Sequence, residues 1–234
     1  MAIRTSARPA LALVAGLALG LTAAAHADDH GHAGHDHAGH DHAKSDHAAA
    51  QSMATAEVGA PAPDFTLTSV DGKAVSLSEF TAEGKTVVLE WFNPDCPFVK
   101  KHHAKHDTMK ATHAKYPDVT WLAINSGAPG KQGNGKERNA EAVKDYGITY
   151  PLLLDEDGTV GRLYGAKTTP HMFVIHEGNL VYAGAIDDNR SPDKLGETNY
   201  VVAALDAIQA GKDVAEPETK SYGCSVKYSA NPVP

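Results

Sequence analysis

The sequence predicts an α/β domain. Three observations carry that expectation: β-branched apolar runs of strand length alternate with segments of helical composition, the last two strands read as a hairpin, and an amphipathic stretch follows them. The domain is expected over residues 58–228, about 170 residues, which is ample for a single core. GAPAPDFTLTSVDGKAVSLSEF places Phe65, Leu67, Val75 and Leu77 in alternation around Asp71-Gly72, the pattern of an N-terminal β-hairpin extension. TVVLEWF has the length and β-branched content of a strand buried on both faces. Pro97 suits the first position of a helix, where an N–H would go unpaired anyway, and one continuous helix is expected from Phe98 to Tyr116. VTWLAINS then reads as a strand, followed by the Gly-rich loop GAPGKQGNGK, a helix from Arg138 to Tyr146, and the strand PLLLDE. HMFVIHE and NLVYAGAID form the antiparallel pair, turning at Glu177-Gly178-Asn179, and Tyr200 to Ala210 supplies the closing helix.

Residues 1–27, MAIRTSARPALALVAGLALGLTAAAHA, carry a basic start at Arg4 and Arg8, an apolar run from Leu11 to Leu21, and the small-x-small triplet Ala25-His26-Ala27. Those are the parts of a secretory signal peptide, with cleavage expected after Ala27. A membrane anchor would need roughly 20 apolar residues, and this run is shorter. The chain is therefore read as periplasmic or secreted from a bacterium, with no membrane attachment after cleavage. Removal of the peptide takes away two arginines and no acidic residue, so the formal charge falls from −8 to −10. An acidic surface without a basic stripe argues against nucleic acid as a partner. In an oxidising compartment the two cysteines, Cys96 and Cys224, permit one bridge.

Residues 28–57 are of another kind. The units HGHAG, HDHAG and HDHAK place His30, His32, His35, His37, His40, His42 and His47 among aspartates. So little apolar surface does not offset the entropy of ordering, and the segment reads as a disordered tail. Neutral imidazoles at His-x-His spacing suit zinc, copper or nickel; the composition fits adventitious binding as well as a physiological metal role. Residues 229–234 are read as a short C-terminal tail.

Cys96, within WFNPDCPFVKKHH, lies where a strand hands over to the proline-led helix. The positive end of a helix dipole favours thiolate over thiol, and Lys100 and Lys101 add positive charge. Asn93, Pro94, Asp95 and Pro97 make a polar, turn-forming neighbourhood, so a reactive cysteine at the surface end of the sheet is expected rather than an inert core residue. Glu90, a carboxylate inside an apolar strand, is a candidate proton relay near Cys96, the alternative being an edge-facing or lysine-paired side chain. His102, His103 and His106 are expected on a solvated, lysine-rich helix face.

In order along the chain, APDFTL with its hairpin, EWFNPDCPFVKKHH, AINSGAPGKQG, LLLDEDGTVGRLYGAKTTPHMFVI, YAGAIDD and YGCSVKY resemble the thioredoxin superfamily. Within it they look like exported, peroxiredoxin-like proteins with a redoxin domain of the alkyl hydroperoxide reductase/thiol-specific antioxidant kind. The resemblance covers nearly all of residues 58–228. It implies a thioredoxin-like fold, a central mixed β-sheet flanked by helices. It also implies thiol-disulfide oxidoreductase or weak thiol peroxidase activity in redox homeostasis, with no required cofactor. Cys96 would be the nucleophile. Thr169-Pro170 would be the superfamily's cis-proline, facing the cysteine and receiving thiol substrates, and Asn93 and Pro97 complete the candidate substrate-binding set.

The sequence departs from its relatives at instructive places. Val99 and Asn93 stand three residues either side of Cys96, so there is no Cys-x-x-Cys. Asn93 occupies the position where typical peroxiredoxins carry threonine, and Pro170 the position of their arginine. Related redoxins share the GCS-I/V-K ending, which leaves three roles open for Cys224: a resolving cysteine, a static bridge to Cys96 that pins the tail, or an unpaired thiol. The implied partners are a thiol or disulfide protein, a small thiol or a peroxide, together with a periplasmic reductant that the sequence does not identify. The alternative reading is a thioredoxin-fold copper- or zinc-handling protein, whose site would draw on Cys96, Cys224 and His171 beside the histidine tail.

Overall fold

The computed structural model describes residues 55–230. The chain forms β1 (Thr66–Ser69), β2 (Ala74–Ser76), α1 (Leu77–Thr81), β3 (Val87–Trp91) and α2 (Pro97–Lys100), then a π-helical turn (Lys101–Lys105) and α3 (Thr108–Lys115). It continues with β4 (Thr120–Asn125), α4 (Lys136–Asp145), β5 (Leu152–Leu154), α5 (Thr159–Leu163) and β6 (Thr168–Thr169). The last elements are β7 (Met172–His176), β8 (Asn179–Gly184), α6 (Tyr200–Gln209) and β9 (Cys224–Ser225). Seven strands make one mixed sheet in the order β2-β1-β5-β4-β3-β7-β8, and β6 pairs with β9 in a separate two-stranded ribbon. Parallel pairing of β3 with β4 and of β4 with β5 sits between antiparallel flanks. This is the thioredoxin-like architecture the sequence implies.

The alternation within β3 explains why the sheet is covered on both sides. Val88 and Phe92 face a core shared with Met109 of α3, Ala142 of α4 and Val201, Ala204 and Leu205 of α6. Val87, Leu89 and Trp91 face a second core with Leu77 of α1 and Val160 and Leu163 of α5. A strand with both faces apolar has to be central, and β3 is flanked by β4 and β7. The N-terminal hairpin is real, with Leu67 opposite Val75, but it is not an appendage: Thr68 also pairs with Leu154, so the hairpin widens the sheet.

Two expectations need correction. The single helix from Phe98 to Tyr116 is three pieces. His106 N–H donates to Lys101 C=O at 3.1 Å, five residues back, and Asp107 then takes a left-handed φ of 51° before α3 begins. The wider turn advances each residue through a smaller angle, which lets the consecutive residues Lys101, His102 and His103 all point inward, where all three are buried. The second correction is an omission: α1, α5, β6 and β9 are too short to show a periodic pattern, and Leu77, expected in the hairpin's alternation, opens α1.

Asp155 builds α5. Its carboxylate accepts the amides of Val160 (3.1 Å) and Gly161 (2.8 Å) in the first turn, and the Ser126 hydroxyl at 2.5 Å. Those amides have no partner within the helix. Burial pushes the carboxyl up to about 6, against the pull of these three donors. A carboxyl raised above its unfolded value of 3.8 binds a proton in the folded state that the unfolded chain has already released. Stability therefore declines as pH rises from about 4 to about 6 through this residue. Urea denaturation across pH 4–7 should show that decline reduced in Asp155→Asn by up to one proton's slope; identical pH profiles for the two proteins would exclude the assignment.

Candidate active site

Cys96 caps α2 with an extended backbone, and Pro97 follows at the first helical position. The turn before it is fixed from several sides. Asn93 C=O accepts the Cys96 N–H at 3.1 Å and Asn93 Oδ1 accepts the Asp95 N–H at 2.9 Å. Asn93 Nδ2 donates to Gln132 C=O at 3.1 Å, Arg138 Nη2 grips Asp95 at 2.7 Å, and the Tyr146 hydroxyl donates to Pro94 C=O at 2.7 Å. The Gly-rich loop fits against this turn because Gly133, at φ 77°, has no side chain: a Cβ there would lie 2.1 Å from Asn93 Oδ1.

The sulfur points at the proline loop. Cys96 Sγ donates to Thr169 C=O at 3.0 Å, and the Thr169-Pro170 bond is cis. Thr169 is in turn the register partner of Cys224 in the β6–β9 ribbon. Gly223 makes that approach sterically permissible, since at φ 137° a Cβ would come within 2.1 Å of Thr169 O. The structure thus brings Cys96, Thr169, Pro170 and Cys224 into one place, with both sulfurs as free thiols. Burial first, then the hydrogen bond and charge of neighbouring Cys96, push the Cys224 thiol up to about 12.

Other sequence expectations shift. Cys96 is not at the surface: it is 0% exposed, within a core against which Cys224 packs. Lys100 is exposed, but Lys101 is fully buried. Its ammonium meets Asp187 at 3.2 Å, Asn189 C=O at 2.7 Å and the Tyr222 hydroxyl at 3.0 Å. Three donors thus find three acceptors, and the charge is answered locally by Asp187 rather than left free to act on Cys96. The Tyr222 hydroxyl donates its own proton to Asp187 and lies 3.0 Å from His102 Nε2, which leaves that nitrogen as the donor. Burial and the charge of Lys101 push His102 down to about 3, so it is neutral here.

His102 and His103 are buried, not solvated, because the π-helical turn rotates them inward; His106 alone of the three is exposed and lies 2.9 Å from Asp193 C=O. Glu90 is fully buried in β3, as a relay would require, but its partners are His103 (2.6 Å), Tyr150 (3.1 Å) and Trp121 (3.4 Å) rather than Cys96. Asn93 is 2% exposed with its amide already committed, while Pro97 sits on the exposed rim. His171 lies against Phe173, a residue of the core on the opposite face of the sheet from Cys96, and its Nδ1 accepts the Lys167 N–H at 3.3 Å. Among the described residues no group of three or more His, Cys, Asp or Glu is arranged to hold a metal ion, and no helix is long and apolar enough to cross a membrane. The signal-peptide segment and the tail histidines His30, His32, His35, His37, His40, His42 and His47 lie outside the described residues.

Comparison with known proteins agrees with this fold. Residues 58–183 match the AhpC/TSA family. The chain belongs to that family. It is 31% identical over 124 residues to the thiol-disulfide oxidoreductase ResA of Bacillus subtilis, covering 53% of this chain and 64% of that protein, somewhat less than two thirds of its length. A hypothetical protein of Sinorhizobium meliloti superposes with a TM-score of 0.67 at 31% identity, over 76% of this chain and 97% of its own. An uncharacterised conserved protein of Geobacillus kaustophilus gives 0.67 at 30% identity, over 75% and 94%.

The Lys101–Asp187–Tyr222 cluster is what sequence reading missed. Its members lie far apart, Lys101 beside the cysteine, Asp187 in YAGAIDD and Tyr222 in YGCSVKY, so no local pattern joins them. Replacing one member of a buried ion pair strands the other, at a cost of about 3–5 kcal/mol. Lys101→Met should lose stability of that order in urea denaturation at pH 7; a loss below about 1 kcal/mol would show that Asp187 is not held by this lysine.

Proposed function

We propose that this chain is an exported thiol-disulfide oxidoreductase in which Cys96 attacks and Cys224 resolves. The observation that carries the reading is the register of the β6–β9 ribbon, which sets Cys224 opposite Thr169, the residue whose carbonyl receives the Cys96 thiol. The likeness to ResA, whose name states that activity, supports it, and the signal-peptide composition of residues 1–27 supports export.

Cys224, raised to about 12, is protonated at neutral pH and is a poor first attacker. Cys96 therefore opens the reaction. Its thiolate displaces one sulfur of a substrate disulfide, forming a Cys96 mixed disulfide and releasing the other sulfur as a thiolate that takes up a proton. Cys224, on losing its proton, attacks Cys96 Sγ and releases the second substrate thiol. The products are a reduced substrate dithiol and a Cys96–Cys224 disulfide; an external dithiol reductant returns two electrons and two protons. Thr169 and Pro170 border the reacting sulfur, Pro97 lies at the rim, and Asn93 holds the turn that aims Cys96. Exchange with a disulfide is favoured over reduction of a peroxide because the Asn93 side chain, at the position a peroxide activator would hold, is already bonded to Asp95 and Gln132.

One equivalent of a small-molecule disulfide, followed by intact-mass and peptide mapping, tests this. The wild type should form the Cys96–Cys224 bridge, and Cys224→Ser should stop at a mixed disulfide on Cys96. A mixed disulfide mapped to Cys224 in the wild type, or two thiols left free, would sink the assignment.

A further inference from the structure

Cys96 has no exposed surface, yet any external disulfide has to reach its sulfur. Among the elements that enclose it is the segment carrying Cys224, which packs against the same core and pairs with Thr169, the acceptor of the Cys96 thiol. Its hold on β6 is a ribbon of two residue pairs, Thr168 with Ser225 and Thr169 with Cys224. Such a short ribbon is weak by itself, so the position of the segment rests on what grips it at either side.

The nearer grip is Tyr222, two residues before the thiol. Its hydroxyl meets Asp187, Lys101 Nζ and His102 Nε2, and its ring lies edge-on to Phe98 with centroids 5.8 Å apart. Lys101 and His102 belong to the turn that continues the helix Cys96 begins, and Phe98 belongs to that helix itself. Tyr222 therefore ties the strand of one cysteine to the helix of the other. Gly223, which tolerates no side chain against Thr169 O, is the only residue between this grip and Cys224. The farther grip lies beyond the ribbon: Val226 N–H donates to Lys167 C=O at 3.1 Å, Lys227 C=O accepts the Ala128 N–H at 2.8 Å, and the Tyr228 hydroxyl donates to Ala166 C=O at 2.8 Å.

We propose that Tyr222 is a positioning residue acting as a latch: it seats Cys224 on Cys96 and keeps β9 on the edge of β6, so that a substrate gains Cys96 only when β9 lifts. β9 occupies by intramolecular pairing the backbone edge that an extended disulfide-bearing polypeptide would otherwise use. The inference rests on the thiol-exchange reading for its resolving step, but not for the closure of Cys96.

Two measurements separate those parts. In a Cys224→Ser background, where Cys96 is the sole thiol, the rate of alkylation by iodoacetamide should rise about tenfold or more on Tyr222→Phe, as expected when a hydroxyl bonded to charged groups is lost. Tyr222→Ala should raise it further, and Tyr228→Phe, at the far grip, should change it by less than about threefold, a net hydrogen bond between neutral groups being the weaker kind. In the two-cysteine protein, the equilibrium of the Cys96–Cys224 disulfide with a reference dithiol should shift about tenfold toward the reduced form on Tyr222→Phe, since the effective concentration of Cys224 at Cys96 falls. Alkylation and equilibrium both unchanged in Tyr222→Phe and Tyr222→Ala would overturn the latch. If the wild type forms no internal disulfide, the exchange reading fails by itself, and the alkylation series still decides whether Tyr222 closes the site.

Discussion

A lysine with no solvent-exposed surface has to have its charge answered by its neighbours, and at Lys101 those neighbours come from far along the chain. Asp187 and Asn189 lie in the loop after β8, and Tyr222 in the C-terminal segment. Burial pulls the ammonium toward neutrality while Asp187 holds it charged. Burial likewise raises the Asp187 carboxyl, but the hydrogen bonds from Tyr222 and the Gly196 amide, with the charge of Lys101, outweigh it and set its net direction downward. Each partner is thus kept in the state the other needs, and neither can leave without stranding a buried charge. Because Lys101 sits one turn past Cys96, this pairing fixes Tyr222, hence Gly223 on the Thr169 carbonyl, hence Cys224 beside the first cysteine.

That chain of placement also orders the chemistry. The Cys224 thiol is held protonated partly by burial and partly by Cys96 as hydrogen-bond neighbour and charge. On the proposed route Cys96, not Cys224, is therefore the first to attack. In a Cys-x-x-Cys site the resolving thiol lies on the same helix turn as the attacking one; here it arrives on a separate strand, so the same ordering is set by tertiary contact.

Much of the fold was legible because its signals are local. β3 and β4 announce themselves by β-branched and aromatic runs, α2 by Pro97, the β7–β8 turn by Glu177-Gly178, and α6 by Val201, Ala204 and Leu205 at helical spacing. Within the site, Cys96, the cis-proline pair and Cys224 could be named from short motifs and their order along the chain. What escaped depends on partners far away in sequence. KKHH reads as a solvated basic face until Asp187, Glu90 and Tyr222 are placed around it, and nothing in Lys100-Lys101 says which lysine turns inward. The π-helical turn is chosen by that burial, not by propensity. The same blindness made Cys96 look exposed: the polar residues around it build the turn, and the core that buries it includes a segment 128 residues later.

A nucleophilic thiol faces two demands that conflict. It has to be shielded, because an accessible thiolate is open to further oxidation, and it has to be reached by a second sulfur along a direct line of attack. A rigid cover would meet the first demand alone. A two-residue ribbon meets both, since the backbone bonds that close it are few and those exposed on its release can be remade by a substrate backbone or by water. The discriminating strength then resides at either side of the ribbon, in the buried Tyr222 cluster before it and in the backbone bonds of Val226 and Lys227 with the Tyr228 contact after it. On the proposed route the placement of Cys224 within the cover has a further consequence: a Cys96–Cys224 disulfide would bond the cover over Cys96 in the oxidised protein alone, so the two oxidation states would differ in how freely that strand can leave.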